Sequence, residues 1–552
     1  MRILPLVSRA SASRARAVPA SGASGVLAAL AARPWIGPAV VLVVAALTRL
    51  IGLGYPRVLA FDETYYVKDA WTLWHLGYEG TWNAADAPAR FASVPEASRI
   101  NDAFQAGAVN WFSPDAEYVA HPPLGKWIIG LGETIAGGAQ NPYGWRLSVA
   151  VVGILAVALT MLIAHRLFRT TLVTVLAGGL LAIDGQAITM SRIGLLDNMV
   201  MLFALAGFAC LLEDRFWTER RLGAWLMRRR RDIGDWGPTL AWRPWLLGAG
   251  LAFGLCCGVK WSGIYFIAAF GVYVVGTELL LRRRAGVRFW APSGLLKQAP
   301  VTAVLLLVPA LIGYLASWTG WFLTSGGYDR HYVQDGGQRF TGALAWIPVP
   351  LQNLWNWHAN IYVFHTTLDS FHSYAAPAIG WPIIARPTSI YYDGAVTGCP
   401  WAGQCVSAIT DLPNPLIWYA GFAAAIYLVV RFVRYREWQA ALILMGFVAG
   451  YLPWLLYPHR TMFFFYSIAF EPYLMLALAA TIGLMVVRPP TVDGPDDQVS
   501  AEAVYGLRAR RGVVAAFVVL AVALSVFYLP LSTGIPTPQW FWQIHMWSRW
   551  WI

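Results

Sequence analysis

An adjacent acid pair, Asp62 and Glu63, stands in the aromatic run Phe61-Asp62-Glu63-Thr64-Tyr65-Tyr66, just past the first long apolar stretch of the chain. A carboxylate in that setting suits general-base work, taking a proton from a hydroxyl acceptor within hydrogen-bond reach. On this motif alone, an acid pair that merely opens a solvated loop has equal weight. The other chemistry-bearing residues also border apolar runs. They are His121 and Lys126 in His-Pro-Pro-Leu-Gly-Lys, Arg146, Arg192 and Asp197 in Ser-Arg-Ile-Gly-Leu-Leu-Asp, Lys260 beside Trp261, and the pair His459-Arg460. Each has a plain reading: cations at run ends snorkel, His121 serves a loop, and Asp197 caps the helix that follows it. Together they suit one chemistry. Cations hold an anionic phosphate, Arg through a bidentate fork and Lys through a point charge, while a carboxylate activates the acceptor. That is group transfer from a phosphorylated donor. Asp62 and Glu63 have no second cluster of oxygen ligands near them in the outer loops, so neither a metal nor another cofactor is expected. No glycine-rich phosphate loop is present, so the donor is expected to be lipid-linked.

The elements that position these residues are membrane spans. Of 552 residues, 58% are hydrophobic and 13% charged, against about 25% charged in a soluble domain, which excludes a water-soluble globule. Apolar runs at 37–55, 145–166, 171–190, 195–213, 244–259, 261–281, 299–323, 415–433, 438–457, 462–487 and 511–531 give about eleven candidate transmembrane helices. The run 124–138 is shorter, carries Glu133 and several glycines, and is read as an interfacial or re-entrant helix on the outer surface, with Trp127 and its isoleucines toward the membrane. The net charge of +12 does not point to nucleic acid. With 124–138 left out of the spans, most Lys and Arg gather on one side, which is then cytoplasmic. The acid-rich loops 56–144 and 324–414 fall on the other side, together with all the residues singled out above.

This gives an all-α polytopic membrane protein. Residues 1–36 form a disordered basic cytoplasmic tail, and 37–487 a transmembrane core with outer loops 56–144 and 324–414. A cytoplasmic linker, 488–510, leads to a last helix and outer tail, 511–552. Cys210, Cys256 and Cys257 read as small buried hydrophobes, and Cys399 and Cys405 can pair if their loop faces an oxidising compartment. A transporter or flippase would need mid-membrane ionisable residues and symmetric halves with broken spans, and neither is evident.

The motifs Phe61 to Tyr66, His121 to Lys126, Gly144-Trp145-Arg146-Leu147, Ser191 to Asp197 and His459-Arg460-Thr461-Met462-Phe463 occur in the order in which they occur in bacterial protein O-mannosyltransferases. The chain resembles this family of GT-C glycosyltransferases from about Arg49 to Arg460. The resemblance implies a GT-C-type bundle whose first outer loop carries the catalytic acids, Asp62 as base with Glu63 beside it. The donor is then polyprenyl-phosphate-mannose, and the acceptors are Ser and Thr hydroxyls of extended secreted segments at the outer face of the plasma membrane, with inversion at the sugar carbon. Arg192, His459 and Arg460 fall in family motifs and are expected, with His121, Lys126, Arg146 and Asp197, at the donor phosphate or sugar. Lys260 joins them by side and charge alone. Membrane lipids and the secretion translocon are candidate partners. Transfer of another lipid-linked sugar, arabinose or aminoarabinose, stays open. Eukaryotic relatives insert a large β-trefoil in the loop that corresponds to 324–414. Here that loop is too short for one, and Trp346, Trp355, Trp357 and His358 are its candidates for acceptor binding.

Overall fold

The computed structural model describes residues 33–228, 236–486 apart from 398, 400 and 402, and 501–552. Most of the expected tail 1–36 and the first part of the linker 488–510 lie outside the described residues. The chain is a multi-span, mostly helical membrane protein. Helices form on every apolar run: α1 (Ile36–Leu50), α2 (Glu63–Leu76), α3 (Glu96–Gln105), α4 (Leu124–Ile135), α5 (Pro142–Phe168), α6 (Thr171–Ile183), α7 (Gly185–Met190), α8 (Asp197–Arg228), α9 (Pro244–Val259), α10 (Gly263–Arg284), α11 (Ala299–Ser317), α12 (Val349–Thr367), α13 (Pro415–Tyr435), α14 (Trp438–Gly450), α15 (Glu471–Val486), α16 (Ala501–Thr533) and α17 (Gln539–His545). Among the described residues, six stretches are long and apolar enough to cross a bilayer: α5, α10, Trp290–Ser317, α13, Trp438–Leu456 and Gly506–Thr533. Helices α1, α6, α9 and α15 are apolar but shorter. The last helix starts at Ala501, earlier than its apolar run suggests, because its first turns are polar.

Helix starts follow local chemistry. Asn141 and Asn414 accept from the backbone N–H groups of Tyr143 and of Leu416 and Ile417, with Pro142 and Pro415 in the first turn, where a missing N–H costs nothing. Asp184 interrupts the 171–190 run. Its extended backbone ends α6, and its side chain accepts from Gln186 N to start α7.

Two expectations change. Helix α4 has 12 residues, about 18 Å, too short to cross a core of about 30 Å. It does not lie free on a surface either. Its face of Gly125, Lys126, Ile129, Gly130, Gly132 and Glu133 is buried against α2 and α5. Glycine permits this approach: a Cβ on Gly132 would fall 2.5 Å from Gly144 O.

The fold is also not purely helical. In the second outer loop β1 (Thr388–Asp393) pairs antiparallel with β2 (Cys405–Asp411), and β3 (Thr537–Pro538) adds to the other edge of β2. Cys399 and Cys405 form a disulfide at the start of β2. Strand β2 is buried throughout, so it lacks the alternation that marks a half-exposed strand. Trp357, expected to be available to an acceptor, is 1% exposed and packs at 4.5 Å between ring centres on Trp318. Trp346 and Trp355 are exposed. Trp357→Ala is expected to cost about 3–5 kcal/mol, read as a lower thermal midpoint in detergent.

Candidate functional site

The Asp62 turn is built by three arginines that do not touch it. Arg49 is buried in α1 and donates to Leu181 O, Ala182 O and Ser191 Oγ, tying α1 to the end of α6. Arg192 closes the C-terminal end of α1, donating to the carbonyls of Thr48, Arg49, Ile51 and Gly52 at 2.8–3.2 Å. Those carbonyls lack intrahelical partners and carry the negative end of the helix dipole. Arg146 is fully buried. It donates to Glu63 Oε1 at 2.8 Å and Oε2 at 2.7 Å, and to the carbonyls of Leu53, Pro56 and Val58. Glu63 also accepts from Ala60 N at 2.9 Å and Gly194 N at 2.7 Å. One buried ion pair thus folds the whole segment 53–60 around itself.

The structure places these expected site residues in bonds within the protein. Both Glu63 oxygens accept from protein donors. Arg146 donates to Glu63 and to backbone carbonyls, and Arg192 to backbone carbonyls.

Phe61, before Asp62, has φ +53, a strained value for an aromatic residue. The rings of His372, Phe463 and Phe465 hold it edge-on at 5.3–5.7 Å. No protein group among the described residues donates to the Asp62 carboxylate. Burial pushes its pKa up to about 6; Lys260 pulls it down and Asp197 adds to the rise.

Around Asp62 the site closes with residues from distant parts of the chain. Lys260 Nζ lies 2.7 Å from Asp197 Oδ2 and 5.1 Å from the centre of the Tyr466 ring. Tyr66, one turn after Asp62 on α2, is held well above its ordinary pKa by burial and then by Asp62, Asp197, Tyr466 and Asp69. Its ring meets His121 at 6.0 Å. His121 stacks on His365 at 5.4 Å and 22°. Arg460 donates to His365 O at 3.1 Å and reaches Nδ1 at 3.3 Å, while His365 Nε2 lies 2.9 Å from Ala120 O. An Nδ1 that accepts and an Nε2–H that donates define one neutral tautomer. Burial, followed by Arg460, pushes His365 down to about 4; burial, followed by Lys260, holds His121 well below its ordinary value. Trp261 stacks on His358 at 5.4 Å and 11°, and His358 pairs with Tyr314.

Asp62, His121, Asp197, Lys260 and Arg460 are therefore neighbours. Lys126 is not in the set: it pairs with Glu79 at 2.5 Å and Asp69 at 3.5 Å, locking α4 to α2. His459 is exposed on a turn. Tyr66, His365 and Tyr466 complete the site without having been anticipated. Tyr66 was accessible to reasoning, being four residues from Asp62 on one helix face. His365 lies in a loop helix that no local pattern joins to Arg460.

The sequence profile of the Dolichyl-phosphate-mannose-protein mannosyltransferase family matches residues 113–322. The polyprenol-phosphate-mannose–protein mannosyltransferase of Mycolicibacterium smegmatis (strain MKD8) is 32% identical over 533 residues, 94% of this chain and 93% of the relative. That of Mycobacterium tuberculosis (strain CDC 1551 / Oshkosh) is 31% identical over 530 residues, covering 94% and 92%. Among solved structures, the Saccharomyces cerevisiae protein O-mannosyltransferase Pmt1–Pmt2 complex bound to the sugar donor shares the fold. Its TM-score is 0.65 at 14% identity, with 94% of this chain and 93% of that one covered. The chain belongs to the polyprenol-phosphate-mannose–protein mannosyltransferases, a family of GT-C-type membrane glycosyltransferases.

Proposed function

We propose that this protein transfers mannose from polyprenyl-phosphate-mannose to Ser and Thr hydroxyls of extended secreted segments, at the extracytoplasmic face of the cell membrane. Asp62 accepts the hydroxyl proton as the oxygen attacks the sugar C1. The bond from C1 to the phosphate oxygen breaks on the opposite face, its electron pair stays with the phosphate, and the configuration inverts. Lys260 and Arg460 hold the leaving phosphate. His121 and His365 are neutral, so they contribute hydrogen bonds and shape rather than charge. Asp197 keeps Lys260 in place. Acceptors presented while they cross the membrane make the translocon a candidate partner, and the concentration of Lys and Arg on the other side supports the outward placement.

The observation that carries this reading is the contrast within the acid pair. Glu63 accepts from four protein donors, whereas Asp62 has none among the described residues and burial pushes its pKa up to about 6. The test uses purified protein in liposomes with polyprenyl-phosphate-mannose or polyprenyl-phosphate-arabinose and a Ser/Thr peptide. Mannose transfer that is lost with an Ala peptide is expected; preference for arabinose, or no peptide product, overturns the proposal.

Lys260→Gln has a second, diagnostic effect. It removes the cation that lowers the Asp62 pKa and leaves Asp197 unneutralised, which raises it. The acid limb of the pH–rate profile is therefore expected to move to higher pH, beside any loss of rate. An unmoved limb would separate Lys260 from the base.

A further inference from the structure

A cavity of about 670 Å³ lies away from Asp62, where the C-terminal end of α1 meets the N-terminal end of α5. Its lining includes Gly52, Tyr55, Arg57, Gln140, Tyr143 and Trp145 and contains no acidic residue. Arg57 is exposed and has no hydrogen-bond or ion-pair partner among the described residues. A Cβ placed on Gly52 would stand 3.8 Å from Arg192 Nη2, so a second guanidinium lies just behind the wall. Its partners among the described residues are the carbonyls at the end of α1, and none of them is a carboxylate. The 27-residue helix α5 begins at the cavity and adds the positive end of its dipole. Trp145 packs behind the cavity wall and is fully buried. An unpaired guanidinium in a cavity without acidic residues, beside a helix N-terminus, is the chemistry of an anion site.

The outer surface of α1 says which anion. Val40, Val43, Leu47 and Ile51 are each at least half exposed, and their spacing of three and four residues puts them on one helix face. This apolar stripe runs along a membrane helix and ends at Gly52, on the rim of the cavity. Tyr55 and Tyr143 flank the rim, as aromatic residues do at headgroup depth. A soluble anion would not need the stripe, and a neutral lipid would not need Arg57.

We propose that the cavity binds the phosphate of an anionic phospholipid, whose acyl chain lies along the α1 stripe. This site is separate from the sugar-transfer site and does not depend on it. Native mass spectrometry of the full chain released from nanodiscs, with phosphatidylglycerol and phosphatidylcholine in equal amounts, tests it. Retained phosphatidylglycerol is expected on the wild type. Arg57→Gln is expected to lower that retention about tenfold, the worth of one charge-assisted phosphate contact, and Arg57→Lys to restore part of it. A thermal midpoint like the wild type's shows that the variants are folded. Three results would each overturn the site: equal retention of the two lipids, unchanged phosphatidylglycerol retention in Arg57→Gln, or displacement of the lipid by inorganic phosphate alone.

Discussion

Replacing Asp62 by Asn is expected to lower the rate of mannosyl transfer about 10²–10⁴-fold, the range that a general base supplies, with the protein still folded in the membrane. The side chains are nearly isosteric, so what is lost is proton affinity. The buried carboxyl titrates at about 6 rather than the ordinary 3.8, and only its ionised form accepts a proton. Wild-type rate should therefore climb as pH rises through about 6 and level off above it; in Asp62→Asn that limb should vanish. Stability should move the other way. A folded-state pKa above the unfolded value means the fold binds the proton more tightly, so stability is lost as pH rises from about 4 through about 6. At neutral pH the Asn variant should unfold no earlier than wild type. A variant that keeps full activity would end the assignment of Asp62 as base. One that is inactive only because its thermal midpoint has collapsed would assign Asp62 to structure.

Arg146→Met is expected to produce the largest stability loss, about 3–5 kcal/mol, because it leaves the buried Glu63 carboxylate without its counter-ion. Arg146 and Glu63 are both fully buried, and the arginine also holds three carbonyls of the 53–58 segment. The loss should appear as a lower thermal midpoint and poor recovery from the membrane. Combining it with Glu63→Gln removes the stranded charge and is expected to restore part of the midpoint. No recovery in the double variant would mean that the carbonyl contacts matter more than the ion pair. Activity should fall in both variants because the strained Phe61 turn is no longer held. A pH–rate limb that stays near 6 in the residual activity would identify Arg146 and Glu63 as positioning residues.

Much of this molecule follows from local sequence. A membrane helix needs a long apolar run and a capped end, and both are contiguous features. That the apolar runs form helices of a multi-span membrane protein was therefore readable, as was the exclusion of 124–138 from the crossing helices. The position of Asp62 and Glu63 just past a span, and the family motifs around them, were equally local. The residues themselves could not divide the labour within that pair; only the family resemblance singled out Asp62. Which carboxylate is free depends on where Arg146 and Gly194 arrive, and those residues lie far along the chain and reach Glu63 only after α2, α5 and the 191–197 turn have packed. The same holds for the cations. Arg192 and Lys260 look alike as charges at span ends, yet one donates to the carbonyls of α1 and the other pairs with Asp197 close enough to lower the pKa of Asp62. The buried strand β2 and the meeting of His365 with Arg460 are likewise products of packing between distant segments. Sequence by itself determined a multi-span membrane enzyme with an acid pair at its first outer turn. Tertiary structure alone decided that Glu63 is filled with protein donors while Asp62, among the described residues, has none, because the partners that fill a buried side chain's hydrogen-bonding sites come from across the fold.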